Sequence, residues 1–526
     1  MKRLQIYISL LILLVFSAGC KKEKAEWDID VLGPILKTQL NLEDFIPDSM
    51  LGTHTDSSVL LILDKELYRI DFDSIFDSPQ GISSFNFAMP FQMNIPPGST
   101  VITKTETKKF NFGDAEISHC IINQGEITIR CENPYDEYLL FKYEIPSATK
   151  NGQIFSITET IPPLTTGSNV YEKSYNFDSY SLDMTANSNH VNRIITEYVI
   201  KTTPDGDTVL FTTTDSIRVE VNFNELEIGY IKGYFGNGTY TSNDETTSTN
   251  IFHLIKSGTL NIEDINAKLI IENGLGIDAK IRLNSFISTN TTTANSIPLT
   301  GNFIGQTQNI SRAQFNGFCA FPVVTPWIKE IDLNGSNIIP FLENFPNEFT
   351  YNMDFEYNPL GNISAGNDFM HYSETFKASI YAEIPMSFAA NNLVLADYTD
   401  IFISGDTSIF ERNCNGIVKL YAQNMFPLEG DVQIYLLDQS NNIVDSIFTT
   451  PHIIQAATDF SGERIQSPQQ SIITANVDTD KIRLIYKTEK AYVKMRFNTP
   501  TFGFVKIFPE YYIDIQLIAD FNMLVY

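Results

Sequence analysis

Apolar and polar residues alternate with a period of two along most of this chain. Ile217, Val219, Val221 and Phe223 point one way, while Arg218, Glu220, Asn222 and Asn224 point the other. Phe349, Tyr351, Met353, Phe355 and Tyr357 form a second such stripe, and Phe376, Ala378, Ile380, Ala382 and Ile384 a third. The longest apolar face closes the chain: Ile513, Ile515, Leu517, Ala519, Phe521, Met523 and Val525. Successive side chains leave a strand on opposite faces, so each stripe predicts a strand with one face buried and one wet, as in antiparallel sheets. Turn chemistry separates the stripes: Pro204-Asp205-Gly206 and Asn237-Gly238 read as hairpins, as does the Asn/Gly-rich stretch 358–367. Helical periodicity is scarce, with single turns predicted near 310–316, 327–331 and 453–459.

One pattern recurs at domain-sized intervals. A strand closes on Asn133, Asn273 or Asn424, turns, and is followed by a second apolar strand over Tyr138–Tyr143, Ile277–Leu283 or Val432–Leu437. A fourth step, Tyr357-Asn358-Pro359, interrupts the period. These segments resemble the strand–Asn-Pro–strand hairpins of immunoglobulin-like sandwiches, with the asparagines as turn formers that tolerate positive φ. The resemblance implies an all-β fold of tandem antiparallel β-sandwich domains. Cuts near 225 and 395 give domains at 31–225, 226–395 and 396–526. The first cut precedes Gly229, Gly233 and Gly236, which predict bends or bulges.

The N-terminus changes the picture. Lys2 and Arg3 precede an apolar run from Leu4 to Phe16. A bilayer span needs about 20 residues, so this run fits the hydrophobic region of a signal peptide. It ends in Ser17-Ala18-Gly19-Cys20, which resembles the lipobox of bacterial lipoproteins, with Ser17 where Leu is commoner. The resemblance implies a signal peptide over 1–19, acylation of Cys20, and a tether over 20–30. Lys21-Lys22-Glu23-Lys24 is similar to the surface-export signals of Bacteroidota lipoproteins but lacks their acidic run. An outer-membrane anchor is thus implied, with its side left open. Acyl chains contribute about 0.8 kcal/mol per buried CH₂, so two or three hold a protein at a membrane without a transmembrane helix.

Among 526 residues, 63 Asp+Glu against 36 Lys+Arg give a formal charge of −27. Such a surface repels polyanions and argues against nucleic acid as a partner. At 43% hydrophobic and 12% aromatic residues the chain can build large cores, which excludes global disorder. Besides Cys20 the cysteines are Cys120, Cys131, Cys319 and Cys414. In an exported protein Cys120 and Cys131 are candidates for a disulfide; the alternative for all four is a small buried hydrophobe. The six histidines are scattered, and HExxH, P-loop and GxSxG patterns are absent, so no metal or cofactor is expected. The clusters Asp71, Asp73, Asp77 and Asp478, Asp480 read as solvated faces rather than a cation site.

Asp-Ser/Thr triplets followed by an aliphatic residue or Met resemble the O-glycosylation acceptors of Bacteroidota proteins. They mark Ser49, Ser74, Thr208, Ser216 and Ser446 as candidate modification sites. The 38 Phe and 24 Tyr read mostly as core, and the two tryptophans are Trp27 and Trp327. Three functional classes follow. The leading one is a non-enzymatic envelope lipoprotein, attached through its lipid, that binds or scaffolds another envelope protein or a glycan. The others are a glycan hydrolase with two carboxylates about 5–10 Å apart and a lipid carrier with an apolar tunnel between its sheets. A close carboxylate pair with one raised pKa, or a continuous tunnel, would favour the alternatives.

Overall fold

A computed structural model describes residues 27–41, 48–75, 81–164, 169–249, 252, 255–316, 323–401, 415–500 and 503–525. Three strands come first: β1 (Trp27–Asn41), β2 (Val59–Ile70) and β3 (Gly81–Ala88). Next are β4 (Thr100–Lys109), β5 (Glu116–Glu132), β6 (Leu139–Lys150), β7 (Gln153–Ile161), β8 (Val170–Asn176), β9 (Arg193–Thr202) and β10 (Ser216–Tyr234). A second block holds β11 (Gly238–Thr241), β12 (Glu245–Ser248), β13 (Asn266–Asn273), β14 (Ala279–Asn290), β15 (Thr307–Ile310), β16 (Trp327–Asp332), β17 (Glu348–Tyr357) and β18 (Phe376–Pro385). The third holds β19 (Ser387–Asp400), β20 (Asn415–Asn424), β21 (Glu429–Leu437), β22 (His452–Ile454), β23 (Gln469–Asp478), β24 (Lys490–Asn498) and β25 (Tyr512–Val525).

The pairings reveal one topology three times. In the first block two four-stranded arrays run β3-β10-β5-β8 and β4-β9-β6-β7, and the short strand Ser181–Asp183, paired with both β5 and β6, joins them into one continuous sheet. Numbered within the module, the orders are first-eighth-third-sixth and second-seventh-fourth-fifth, the jelly roll of two Greek keys. The middle block repeats it as β2-β18-β13-β16 and β11/β12-β17-β14-β15, and the last as β1-β25-β20-β23 and β19-β24-β21-β22. The antiparallel tandem sandwiches are therefore jelly rolls, which corrects the immunoglobulin-like reading. The modules are nested: each takes its first strand from the N-terminal segment, in reverse order. By contacts the chain forms two compact units, one of Met1–Ile62, Asn250–Ile265 and Ile384–Tyr526, the other of Leu63–Thr249 and Asn266–Glu383. The cuts near 225 and 395 fall inside β10 and β19. Glu225, at φ +49°, sits at a bulge of β10 where the register shifts between Asn224 and Glu227.

The striped segments bury the faces that alternation assigns to them. Phe376, Ala378, Ile380 and Ala382 are fully buried in β18, and Ile513 to Phe521 are buried at every second position of β25. Each large apolar side chain so buried contributes about 1.5–3 kcal/mol. The side chains of Met523 and Val525 lie outside the described residues. Short strands occupy the segments expected to be helical turns near 310–316, 327–331 and 453–459. Apart from single turns at Asp48–Met50 and Phe72–Ile75, the described helices α1 (Ile338–Glu343) and α2 (Thr479–Lys487) both join the sixth strand of a module to its seventh. Asp478 caps α2 by accepting from the Lys481 N–H at 3.0 Å. Asn237-Gly238 forms no hairpin; it links β10 to β11, with Gly236 at φ +72°.

The recurrent asparagines are a lock rather than a hairpin. Asn273 and Asn424 end strands of one sheet and lead into a strand of the facing sheet, so the chain arches across the core. Asn133 stands just past β5, which does not pair directly with β6. All three side chains are fully buried. In each, Oδ1 accepts the N–H two residues on, from Tyr135, Leu275 or Phe426 at 2.9–3.0 Å. Nδ2 donates to the carbonyl four residues on, Glu137, Ile277 or Leu428, at 2.8–3.0 Å. Its second bond reaches the carbonyl just past the module's fifth strand, Pro162, Ser311 or Gln455, at 2.8–3.1 Å. None of the three has positive φ; Asn358 does, at +46°, and it donates instead to the Gly236 carbonyl and to Asp368.

Candidate functional site

Cys20, Cys319, Cys414 and Asp77 lie outside the described residues. Cys120 and Cys131 both lie on β5, buried and free. Eleven positions of extended chain separate them by on the order of 30 Å, against a Cα limit of about 7 Å for a disulfide. The disulfide reading is thus corrected. Burial pushes the Cys120 thiol up to about 12 and raises Cys131 further, so both are inert apolar filling. Ser49, Ser74, Thr208 and Ser216 are exposed. Ser446 is half-buried, and its hydroxyl donates to the Phe448 carbonyl at 2.9 Å. Asp71 accepts from the Ser74 N–H and hydroxyl in a short turn, so it serves local structure. Trp327 is half-buried at the start of β16.

Two clefts bear on the alternatives. One, in the last jelly roll, is lined by Thr38, Leu40, Leu395, Val493, Met495 and Phe497 among others, and holds about 70 Å³. Ligand pockets run to about 300–1,000 Å³, so an acyl chain does not fit. The other, about 230 Å³, lies on the first jelly roll between Gln124, Gly125, Glu126, Asn176, Asp178 and Glu225. There the Asn176 amide and the Gly125 N–H hold Asp178 below the usual carboxylate range. A general acid needs the opposite shift. Among the described residues no group of three or more His, Cys, Asp or Glu is placed to hold a metal.

The surface that stands out is the outer face of the β19-β24-β21 sheet in the last jelly roll. Along β24, Ala491, Val493, Met495 and Phe497 point inward and are buried, which turns Lys490, Tyr492, Lys494 and Arg496 outward. Tyr492 lies in register with Tyr398 of β19 on one side and Tyr435 of β21 on the other. The ring centroids are 5.1 and 6.2 Å apart, tilted by 44° and 34°. Tyr398, at the edge of this row, is 59% exposed. Burial, then the neighbouring phenols and Asp397, raise the Tyr492 pKa.

The cations beside this row differ in their partners. Lys490 faces Asp400 across β19, and Arg496 reaches Asp431 at 3.9 Å. Lys494 faces Ala396 and Gln433. The Gln433 amide is committed to the Phe448 carbonyl at 2.9 Å and accepts from the Ile434 and Phe448 N–H groups. Lys494 therefore faces no counter-ion across either neighbouring strand. Reading the tyrosines mostly as core misses this face. The signal was the alternation Lys490-Ala491-Tyr492-Val493-Lys494-Met495-Arg496, which assigns Tyr492 to the polar side.

No family model and no curated protein matches the chain. Among solved structures, a candidate secreted protein from Parabacteroides distasonis aligns over 93% of this chain and 99% of its own, at 9% identity and a TM-score of 0.27. The triple jelly roll of an archaeal virus turret assembly aligns over 86% and 91%, at 10% identity and a TM-score of 0.11. At such scores neither likeness bears on function, and the fold rests on the strand pairings. Among the described residues no helix is long and apolar enough to cross a membrane.

Proposed function

We propose that this protein is a lipid-anchored, non-enzymatic binding component of the bacterial outer envelope, with the outer face of its last jelly roll as the ligand surface. The observation that carries the reading is the in-register row Tyr398–Tyr492–Tyr435 on the outer sheet face, beside Lys494, with Tyr398 exposed and Tyr492 and Tyr435 half-buried. Aromatic side chains with one apolar face and a polar tip suit a surface that is dry against its ligand and wet elsewhere. The lipobox residues Ser17-Ala18-Gly19-Cys20 support attachment through an acylated Cys20, on the periplasmic or the outer side of the outer membrane.

Two measurements test this. Cys20→Ala should release the protein from the membrane fraction, and continued membrane association would sink the anchor. The purified protein should be retarded in gels containing polysaccharide from the envelope, and Tyr398→Ala should lessen the retardation. Equal migration of the two proteins would sink the ligand surface.

A further inference from the structure

We infer that the tyrosine row and Lys494 select a carboxylated glycan, one whose sugars include uronic acids. This inference rests on the proposed ligand surface and adds the chemical class of the ligand. A pyranose ring carries axial C–H bonds on its faces and its substituents around its rim. Laid on Tyr492 and Tyr398, such a ring directs its rim along the sheet surface. The next outward position of β24 is about 7 Å further along the strand, two residues at about 3.4 Å each, and it is Lys494. A carboxylate on the rim of a stacked sugar thus approaches the one outward cation of β24 with no carboxylate opposite it, since Lys490 and Arg496 face Asp400 and Asp431. In a chain of net charge −27 this is a local inversion of sign. A polyanion repelled elsewhere meets complementary charge here. Arg496, whose pairing with Asp431 is long at 3.9 Å, offers a planar fork for a second carboxylate. The strand spacing of about 4.8 Å lets rings on three adjacent strands support a chain laid across the sheet.

The test is affinity electrophoresis of the purified full chain in gels containing polygalacturonate, the neutral glucan dextran, or heparin. Retardation by polygalacturonate is expected, with Lys494→Ala weakening it about tenfold, as for loss of one charge-assisted contact. Tyr398→Ala, at an exposed position that folding tolerates, should weaken it with no change in thermal melting. Retardation by dextran alone, or by polygalacturonate without dependence on Lys494, overturns the carboxylate assignment and leaves the tyrosine surface standing. Stronger retardation by heparin that also depends on Lys494 overturns it in favour of sulfated chains. Retardation by none of the three overturns this inference; if envelope polysaccharide also fails to retard the protein, the proposed ligand surface falls with it.

Discussion

The first and last jelly rolls share a strand order and a buried asparagine lock, yet their corresponding outer faces differ in kind. On the first, the outward residues of β9 are Arg193, Ile195, Glu197, Val199 and Lys201, with no aromatic among them. The charges of neighbouring β6 are satisfied locally: Lys142 pairs with Glu144 at 2.7 Å, and Glu144 also accepts from the Ser156 hydroxyl. On the last, β24 presents Tyr492 between two other tyrosines and leaves Lys494 facing no opposite charge. Lys201 of β9 also faces no opposite charge, lying across from Thr100 and Leu140, so an unpaired cation alone does not distinguish the two faces. What differs is the company the cation keeps: Lys494 stands beside a row of three tyrosines, whereas the outward residues of β9 include no aromatic, and that contrast separates site from framework.

The largest expected effect tests what the modules share. Asn424→Ala strands two carbonyls and one N–H in a fully buried arch and should cost about 3 kcal/mol or more. Asn133→Ala and Asn273→Ala should cost similar amounts. Hydrogen exchange should show the loss of protection confined to the module that carries the substitution. If protection were lost in all three modules together, or kept in one, the locks would not be equivalent and the repeat would be one of topology only.

The fold was largely legible because alternation is a local property: β10, β17, β18 and β25 bury the residues their period assigns inward. The recurrence of Asn133, Asn273 and Asn424 was visible too. Its meaning was not, because the second Nδ2 bond reaches a carbonyl 29 to 38 residues away. Nesting was hidden for a similar reason, since β1 pairs with β25 across nearly the whole chain. The disulfide reading failed because Cys120 and Cys131 share one 17-residue strand, whose extended rise holds them far apart. Tyr398, Tyr435 and Tyr492 are far apart in sequence, so only the register of β19, β24 and β21 makes them a row.

A second prediction turns the last face into one like the first. Lys494→Glu gives β24 a carboxylate among its outward residues, as Glu197 does in β9. It should lower affinity for an anionic glycan by more than tenfold while changing stability by no more than about 0.5 kcal/mol, the usual range for a surface position. Unchanged binding with a large stability loss would erase the contrast, because Lys494 would then belong to the framework.

Lys108 gives a third prediction, with a pH signature. Its ammonium lies 4.5 Å from the Phe223 ring centroid and has no hydrogen-bond partner among the described residues, and burial lowers its pKa to about 8. The unfolded chain holds that proton up to about pH 10.4. Between these values the folded state binds fewer protons, so the contribution of Lys108 to stability rises as pH rises from about 8 to 10.4 and is least below 8. Lys108→Met should stabilise the first jelly roll by about 1–2 kcal/mol at pH 7, partly offset by the lost cation–π contact. The gain should shrink toward pH 10, and a gain that did not depend on pH would assign the effect to packing.

The smallest effect concerns ion pairs at the two faces. The Lys142 ammonium, then the Ser156 hydroxyl, holds Glu144 below the usual range against the opposing pull of burial. Burial likewise works against Asp445, which Lys481 of α2 holds low from 2.5 Å. A depressed carboxylate stabilises the fold above its unfolded pKa of about 4, and that contribution is lost as pH falls below it. Glu144→Gln and Asp445→Asn should each cost less than about 1 kcal/mol at pH 7, as for other partly exposed pairs, and nothing once pH drops to about 2. Raised salt should shrink both losses alike, since both pairs meet solvent. A loss at Asp445 exceeding that at Glu144 by more than about 1 kcal/mol would mean that charges near the tyrosine face also hold the last jelly roll together, and the division between a stable face and a binding face would have to be redrawn.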